Sequence, residues 1–109
     1  MTPAEMLAEL RALEARLRSS EVQAAYRERP LAERRRLVAE RAELSLLIAR
    51  LTTAGLGALS ARLDELGRDL TRGLAAVNGR LARLDRPAAT LNALARLLGL
   101  LARLAVLAG

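Results

Sequence analysis

The carboxylates in the middle of the chain are the residues whose spacing could support chemistry. Glu40 and Glu43 stand at i,i+3 spacing, and Asp64, Glu65 and Asp69 cluster further along. Paired carboxylates can exchange protons with a substrate or hold a cation. Arginines follow these acids at helical spacing, which is the pattern of a solvated helix face with local ion pairs. We expect such a solvated face rather than a catalytic or metal site.

The composition lacks the partners that these carboxylates would need. The chain has no His and no Cys, and Tyr26 is its only aromatic residue. Without His there is no ordinary proton shuttle near neutral pH, and the Glu-x-x-His set of di-iron bundles is missing. Without Cys there is no thiolate nucleophile, and the Ser residues have no His base. The sequence therefore predicts no catalytic residue, no metal ligand, no cofactor and no enzymatic activity.

Arginine supplies all 18 basic residues, and the net charge is +6. The candidate polyanion-binding residues flank two predicted helix ends: Arg34, Arg35, Arg36, Arg80, Arg83 and Arg86. Charge alone could hold a nucleic-acid duplex backbone, whereas single strands would need aromatic stacking platforms that are absent. Acids are interleaved with the first cluster, so a solvated face is the competing interpretation. Nucleic acid therefore ranks last among the expected partners.

Nearly every segment predicts helix, because Ala, Leu, Arg and Glu dominate the chain. Thr2 to Glu5 has the pattern of a capping box. Ser20, with Gln23 three residues later, predicts the capped start of a second helix. The predicted helices cover about residues 3–18, 20–29, 31–53, 56–85 and 88–108 of a single domain, residues 1–109. The stretch "TTAGLG" predicts a turn between the third and fourth helices and hence a helical hairpin. A bent continuous helix is the alternative.

The fourth helix has the clearest apolar pattern. Its apolar residues follow spacings of three and four: Leu56, Leu59, Leu63, Leu66, Leu70, Leu74, Val77, Leu81 and Leu84. On a helical wheel they fall within a strip of about 80°, which is typical of a coiled coil or a slender bundle. The predicted fold is therefore all-α: an antiparallel helical hairpin or bundle with one long coiled-coil-like helix and an apolar C-terminal helix.

The last helix, "LNALARLLGLLARLAVLAG" at residues 91–109, is apolar nearly all round. Asn92, Arg96, Gly99 and Arg103 share one stripe of about 60°. Two central arginines cost about 5–7 kcal/mol on the membrane-insertion scale, which exceeds the gain of about 3–5 kcal/mol from the leucines and the valine. The pattern favours a central bundle helix over a lone membrane span. Docking on a lipid surface or on another protein copy is the alternative.

Short connections make neighbouring helices antiparallel, so the last helix should return to the turn near residue 55. This topology places residues 44–61, where Arg50 is the only charge, beside residues 97–107. One end of the molecule is then almost uncharged. The arginine clusters lie at the other end.

A chain of 109 residues offers little surface to cover so apolar a helix, which favours self-association. The candidate assembly or lipid-contact residues are Leu97, Leu100, Leu101, Leu104 and Leu107. We expect a non-enzymatic helical assembly protein that forms a homo-oligomer or binds a protein partner through this helix. The alternative is a peripheral protein on an anionic membrane surface. The start of the chain lacks a signal-peptide pattern, so the expected location is cytoplasmic, with membrane association under that alternative.

Overall fold

The computed structural model describes every residue from Met1 to Gly109, as five helices without a strand. The helices are α1 (Pro3–Leu17), α2 (Ser20–Arg27), α3 (Leu31–Ala54), α4 (Leu56–Arg83) and α5 (Pro87–Ala108). The predicted all-α class is confirmed. Each predicted helix is present, and its ends shift by at most two residues.

Side-chain caps fix the first two helix starts. Thr2 and Glu5 form the predicted capping box, in which each side chain accepts the backbone N–H of the other at 3.1 Å. The predicted cap of α2 is wrong by one position. Ser19 has the extended backbone of a cap, and its Oγ accepts the Val22 N–H at 3.4 Å. Ser20 is already the first residue of the helix.

A sharp turn at Gly55 separates α3 from α4. Gly55 has φ +89°, which is a conformation that side chains with a Cβ rarely adopt. The helix direction changes by 116° there, so the predicted turn is confirmed and a gently bent continuous helix is excluded. The two helices touch each other little, however, and they do not lie along one another as a tight hairpin would. They diverge and leave a space between them.

Helix α5 fills the space between α3 and α4, and its most extensive contacts are with these two helices. Its leucines at positions 91, 94, 97, 101 and 104 are 0% exposed. Gly73 of α4 permits a close approach, because a Cβ there would lie 3.3 Å from Leu97 Cδ1. Near the end of α5, Arg62 Nε donates a hydrogen bond to the Leu107 carbonyl at 3.2 Å. The C-terminal helix therefore returns towards the turn, as predicted.

Helix α1 packs against both α3 and α4 and contributes Met6, Leu10, Leu13 and Leu17 to the core. The short α2 adds Val22 and Tyr26. All these side chains belong to one hydrophobic cluster that extends through the five helices. The molecule is elongated, with extents of 43 × 21 × 19 Å.

The narrow apolar strip of α4 is buried as predicted from Leu59 to Leu81. Its two ends differ from the prediction. Leu56 is 54% exposed because it directly follows the turn, and Leu84 is only partly buried. Leu84 adopts a left-handed conformation, φ 53°, and its N–H bonds to the Arg80 carbonyl, which ends the helix.

Truncation of Leu101 should be among the most damaging changes in the chain. Leu101 is 0% exposed, so Leu101→Ala removes buried methyl groups and leaves a cavity. We predict a loss of about 2–5 kcal/mol in the free energy of unfolding, measured by urea denaturation. Leu46→Ala is the matched control, because Leu46 is 62% exposed. Similar losses in the two variants would contradict the placement of α5 in the core.

The turn can be tested with two neighbouring glycines. Gly55→Ala introduces a Cβ at φ +89° and should destabilise the protein by about 1–3 kcal/mol. Gly57→Ala should be neutral or slightly stabilising, since Gly57 is helical and a Cβ there meets nothing within 4 Å. Thermal unfolding of both variants checks the difference. A stable Gly55→Ala protein would mean that the chain does not turn here as described.

Candidate functional site

The candidate contact residues on α5 lie mostly inside the molecule. Leu97, Leu101 and Leu104 are 0% exposed, whereas Leu100 and Leu107 are partly buried against the core. The expectation that a single chain cannot cover this helix is therefore wrong. Divergence of α3 and α4 gives α5 two helices to pack against, and a sequence pattern does not show such divergence. Contact of the three buried leucines with another molecule would require the core to open.

The polar stripe of α5 faces solvent as predicted. Asn92, Arg96, Gly99 and Arg103 are all exposed. Helix α5 has the length and apolar composition of a membrane span. The central helix of a folded bundle meets the same criteria. Length and hydropathy therefore do not separate these two environments.

The candidate polyanion-binding arginines flank two neighbouring junctions. Tyr26 Oη donates a hydrogen bond to the Pro87 carbonyl at 2.7 Å, which joins the end of α2 to the start of α5. The first arginine cluster begins α3 just after α2, and the second lies at the end of α4 and just before α5. Arg34 and Arg35 are exposed, whereas Arg36 forms an ion pair with Glu40 at 3.1 Å. Polyanion binding by these residues stays a prediction.

Most of the mid-chain carboxylates lie on the surface. Glu43, Asp64 and Asp69 are exposed, and Glu65 pairs with Arg62 at 3.4 Å. The carboxylates of the chain form no group of three that could share a metal ion.

The solvated-face prediction is wrong for Glu40. Glu40 is only 7% exposed, because it lies between Leu37 and Leu44 on the side of α3 that faces the core. Arg36 Nε lies 3.1 Å from Oε2, yet neither carboxylate oxygen accepts a well-directed hydrogen bond. Burial raises the pKa of Glu40 to about 7, against the opposing effect of Arg36. This carboxyl group is the most perturbed acid in the molecule.

Tyr26 is buried close enough to Glu40 for the charge of Glu40 to affect its phenol. Burial raises the pKa of its phenol to about 12, and Glu33 and Glu40 add to the shift. Its hydroxyl group is occupied by the bond to Pro87. Tyr26 therefore joins helices and offers no free group for chemistry.

An exposed apolar strip on α3 is the feature that the sequence prediction missed. We call it the outer α3 strip; it comprises Leu31, Val38, Ala42, Leu46 and Ala49, all exposed. Its three large members are 50%, 58% and 62% exposed in chain order. Single exposed leucines are ordinary, but these residues lie within about 80° on the helical wheel. They form an apolar surface, interrupted by the exposed Arg35, opposite the side of α3 that is buried.

The signal for this strip was present in the sequence. The buried side of α3 contains Leu37, Leu44 and Leu47, which recur at helical spacing. The apolar residues left over from that face also recur at helical spacing, with Leu31 and Val38 seven positions apart. A helix with two apolar sides needs two covering surfaces. Only one of the two sides is covered here.

Depressions flank the outer α3 strip at both ends. Near its start, a shallow depression of about 290 Å³ is lined by Leu31, Arg34, Arg35 and Val38. Near its end, an open groove of about 560 Å³ runs between the last turns of α3 and α5. Small side chains form most of its walls: Ala49, Thr53, Ala54, Ala105 and Ala108. The surface is therefore a ridge with recesses at its ends.

Comparison with protein-family models, characterised proteins and solved structures finds no match to this chain.

The pKa of Glu40 makes stability depend on pH. Between pH 4.5 and about 7 the folded protein keeps a proton that the unfolded chain has lost. The free energy of unfolding should therefore fall as the pH rises through this window and then level off. Glu40→Gln removes the ionisation, so at about pH 8 the variant should be more stable than the wild type by on the order of 2 kcal/mol.

Urea denaturation across this pH range checks the prediction, with the exposed Glu9→Gln as the matched control. The control should keep the pH dependence of the wild type. An unchanged pH dependence in Glu40→Gln would show that Glu40 does not titrate in the core.

Proposed function

We propose that this chain is a non-enzymatic helical interaction protein that binds another protein through the outer α3 strip. The observation that carries the proposal is the asymmetry of α3. One side of this helix is buried against α1 and α5, and the other presents aligned apolar side chains to solvent. Contiguous exposed apolar patches are uncommon on monomeric soluble proteins, and those that occur often mark interaction sites.

The absence of enzymatic activity is part of the proposal and rests on composition. No His or Cys is available, and the one strongly perturbed carboxyl, Glu40, is enclosed by the core. A group that substrate cannot reach has no direct part in catalysis.

Attachment to a lipid surface is the second candidate. Leu56 and Val106 are 54% and 69% exposed, near the turn and near the end of α5. The return of α5 towards the turn brings these residues to one end of the molecule, where Arg50 and Arg62 are nearby charges. Such an apolar end with adjacent arginine could dock on an anionic bilayer. It uses a different surface from the outer α3 strip, so the two functions can be separated by experiment.

A photo-crosslinking amino acid in place of Leu46 tests the proposed function in cells that express this protein. We predict a protein adduct of defined mass from position 46, lost when Val38→Asp is added on the same strip. The same amino acid in place of Val106 is the control, because Val106 is exposed on α5. Position 106 should not give this adduct. An absence of strip-dependent adducts, or equal adducts from both positions, would contradict the proposal.

Light scattering with and without phosphatidylserine vesicles separates the other candidates. We expect the purified chain alone to have the monomer mass of 11.7 kDa, and vesicles to leave it unbound. A larger mass that Val38→Asp reduces would identify a second copy as the partner. Vesicle binding that Val106→Asp abolishes would identify the lipid surface instead.

A further inference from the structure

The charges around the outer α3 strip specify the kind of protein that it would bind. This inference rests on the proposed function and narrows it. We propose that the strip takes an acidic amphipathic helix from another protein, which lies along α3 as the second strand of a short coiled coil.

The spacing of the strip fits pairing with a helix. Including Arg35, its positions follow steps of four, three, four, four and three residues, which is the alternation of a coiled-coil seam except for one repeated step of four. The strip is about 27 Å long, enough for several turns of a partner helix. Ala42 and Ala49 are small and stand beside the larger Val38 and Leu46. Large side chains of the partner can therefore pack over the alanines.

The charge beside the strip is one-sided. Arg34, Arg35 and Arg50 are exposed, and none of them takes part in an ion pair within the chain. Glu43 is the exposed acid on the same helix, whereas Glu33 is paired with Arg29 at 2.7 Å. Two further charges reach this edge from α1, since Glu14 accepts a hydrogen bond from Ser45 and Arg18 donates one to the same hydroxyl. The balance stays basic, because three arginines of α3 outside any ion pair stand against its one exposed glutamate, and this favours a partner with acids at the positions that flank its seam.

A second copy of this chain fits the strip poorly. In a parallel pair Arg35 would lie beside the Arg35 of the other copy, within the seam itself. In an antiparallel pair each edge of the strip would meet its own copy, so Glu43 could pair with one arginine of the other copy, whereas Arg34 and Arg35 would find no acid on α3. Like charges in contact are destabilising, so the strip disfavours its own copy and favours an acidic helix.

A bilayer also fits the strip less well than a helix does. Helices that lie in a bilayer interface use Trp, Phe and Leu on their apolar side. This chain has no Trp or Phe, and Tyr26 is buried. Arg35 stands in the middle of the strip, where a bilayer would have to accommodate it near apolar chains. The alanines contribute little apolar area to lipid, whereas they let a helix approach closely.

Two designed peptides test the charge requirement on the full chain. The first has Leu at its seam positions and Glu at the flanking positions, and the second has the same Leu with Arg in place of Glu. We predict micromolar binding of the acidic peptide by fluorescence anisotropy, weakened by added salt because the attraction is partly electrostatic. The basic peptide should not bind.

Matched variants assign the binding to the strip. Val38→Asp should weaken binding of the acidic peptide by roughly tenfold or more, whereas Val106→Asp should leave it unchanged. Both valines are exposed, so circular dichroism should show the same fold in the two variants. The triple variant Arg34→Glu, Arg35→Glu, Arg50→Glu should exchange the preference and bind the basic peptide.

Three results would overturn the inference: no binding of the acidic peptide, equal binding of both peptides, or loss of binding in Val106→Asp but not in Val38→Asp. Binding to anionic vesicles or self-association that depends on Val38 would likewise assign the strip to another occupant. If the cellular crosslinks from position 46 persist while the acidic peptide fails, only the acidic-helix inference falls. If those crosslinks are also absent, the proposed function falls with it.

Discussion

The packing of α5 between α3 and α4 is the interaction on which the rest of the structure depends. Full burial of a leucine side chain stabilises a fold by about 1.5–3 kcal/mol, and α5 contributes several leucines that are 0% exposed. Two features of the neighbouring helices make room for it. Gly55 lets the chain turn by 116°, so that α3 and α4 diverge, and Gly73 lets α5 approach α4 closely. A tight hairpin of α3 and α4 would leave no place for this helix.

The same packing explains why α3 has an exposed apolar side. Helix α1 and helix α5 both contact α3, and both meet the side that contains its buried leucines. The remaining short helix, α2, touches only a small part of α3. The outer α3 strip therefore stays uncovered in one chain. The uncovered apolar surface lies on α3, whereas the sequence had suggested α5.

Local patterns in the sequence predicted the elements well. Helix positions, the turn near Gly55 and the exposed stripe of Arg96 and Arg103 depend on periodicity and on turn or cap residues, which act over a few positions. The packing of the helices against one another was harder to predict from the sequence. The wedge between α3 and α4 depends on the turn angle at one glycine, and spacing along the chain does not encode that angle. The prediction of α5 as a central bundle helix is confirmed, whereas the expectation that one chain cannot cover it failed for this reason.

Glu40 and the outer α3 strip both show where prediction from residue type fails: one is a polar residue that is buried, and the other consists of apolar residues that are exposed. Glu40 is polar and therefore predicted to be solvated, but its place in the spacing of Leu37 and Leu44 puts it in the core. The strip residues are apolar and therefore expected to find cover, but the core needs only one side of α3. In both cases the three-dimensional position of the helix face overrides the preference of the single residue.

Carbene footprinting of the free protein tests the central claim most directly, because it reports the solvent exposure of individual side chains. Val38 and Leu46 on α3 should be heavily labelled, whereas Leu97, Leu101 and Leu104 on α5 should be protected. The opposite pattern, with labelled α5 leucines and a protected α3 strip, would show that α5 is the open helix and would contradict the account.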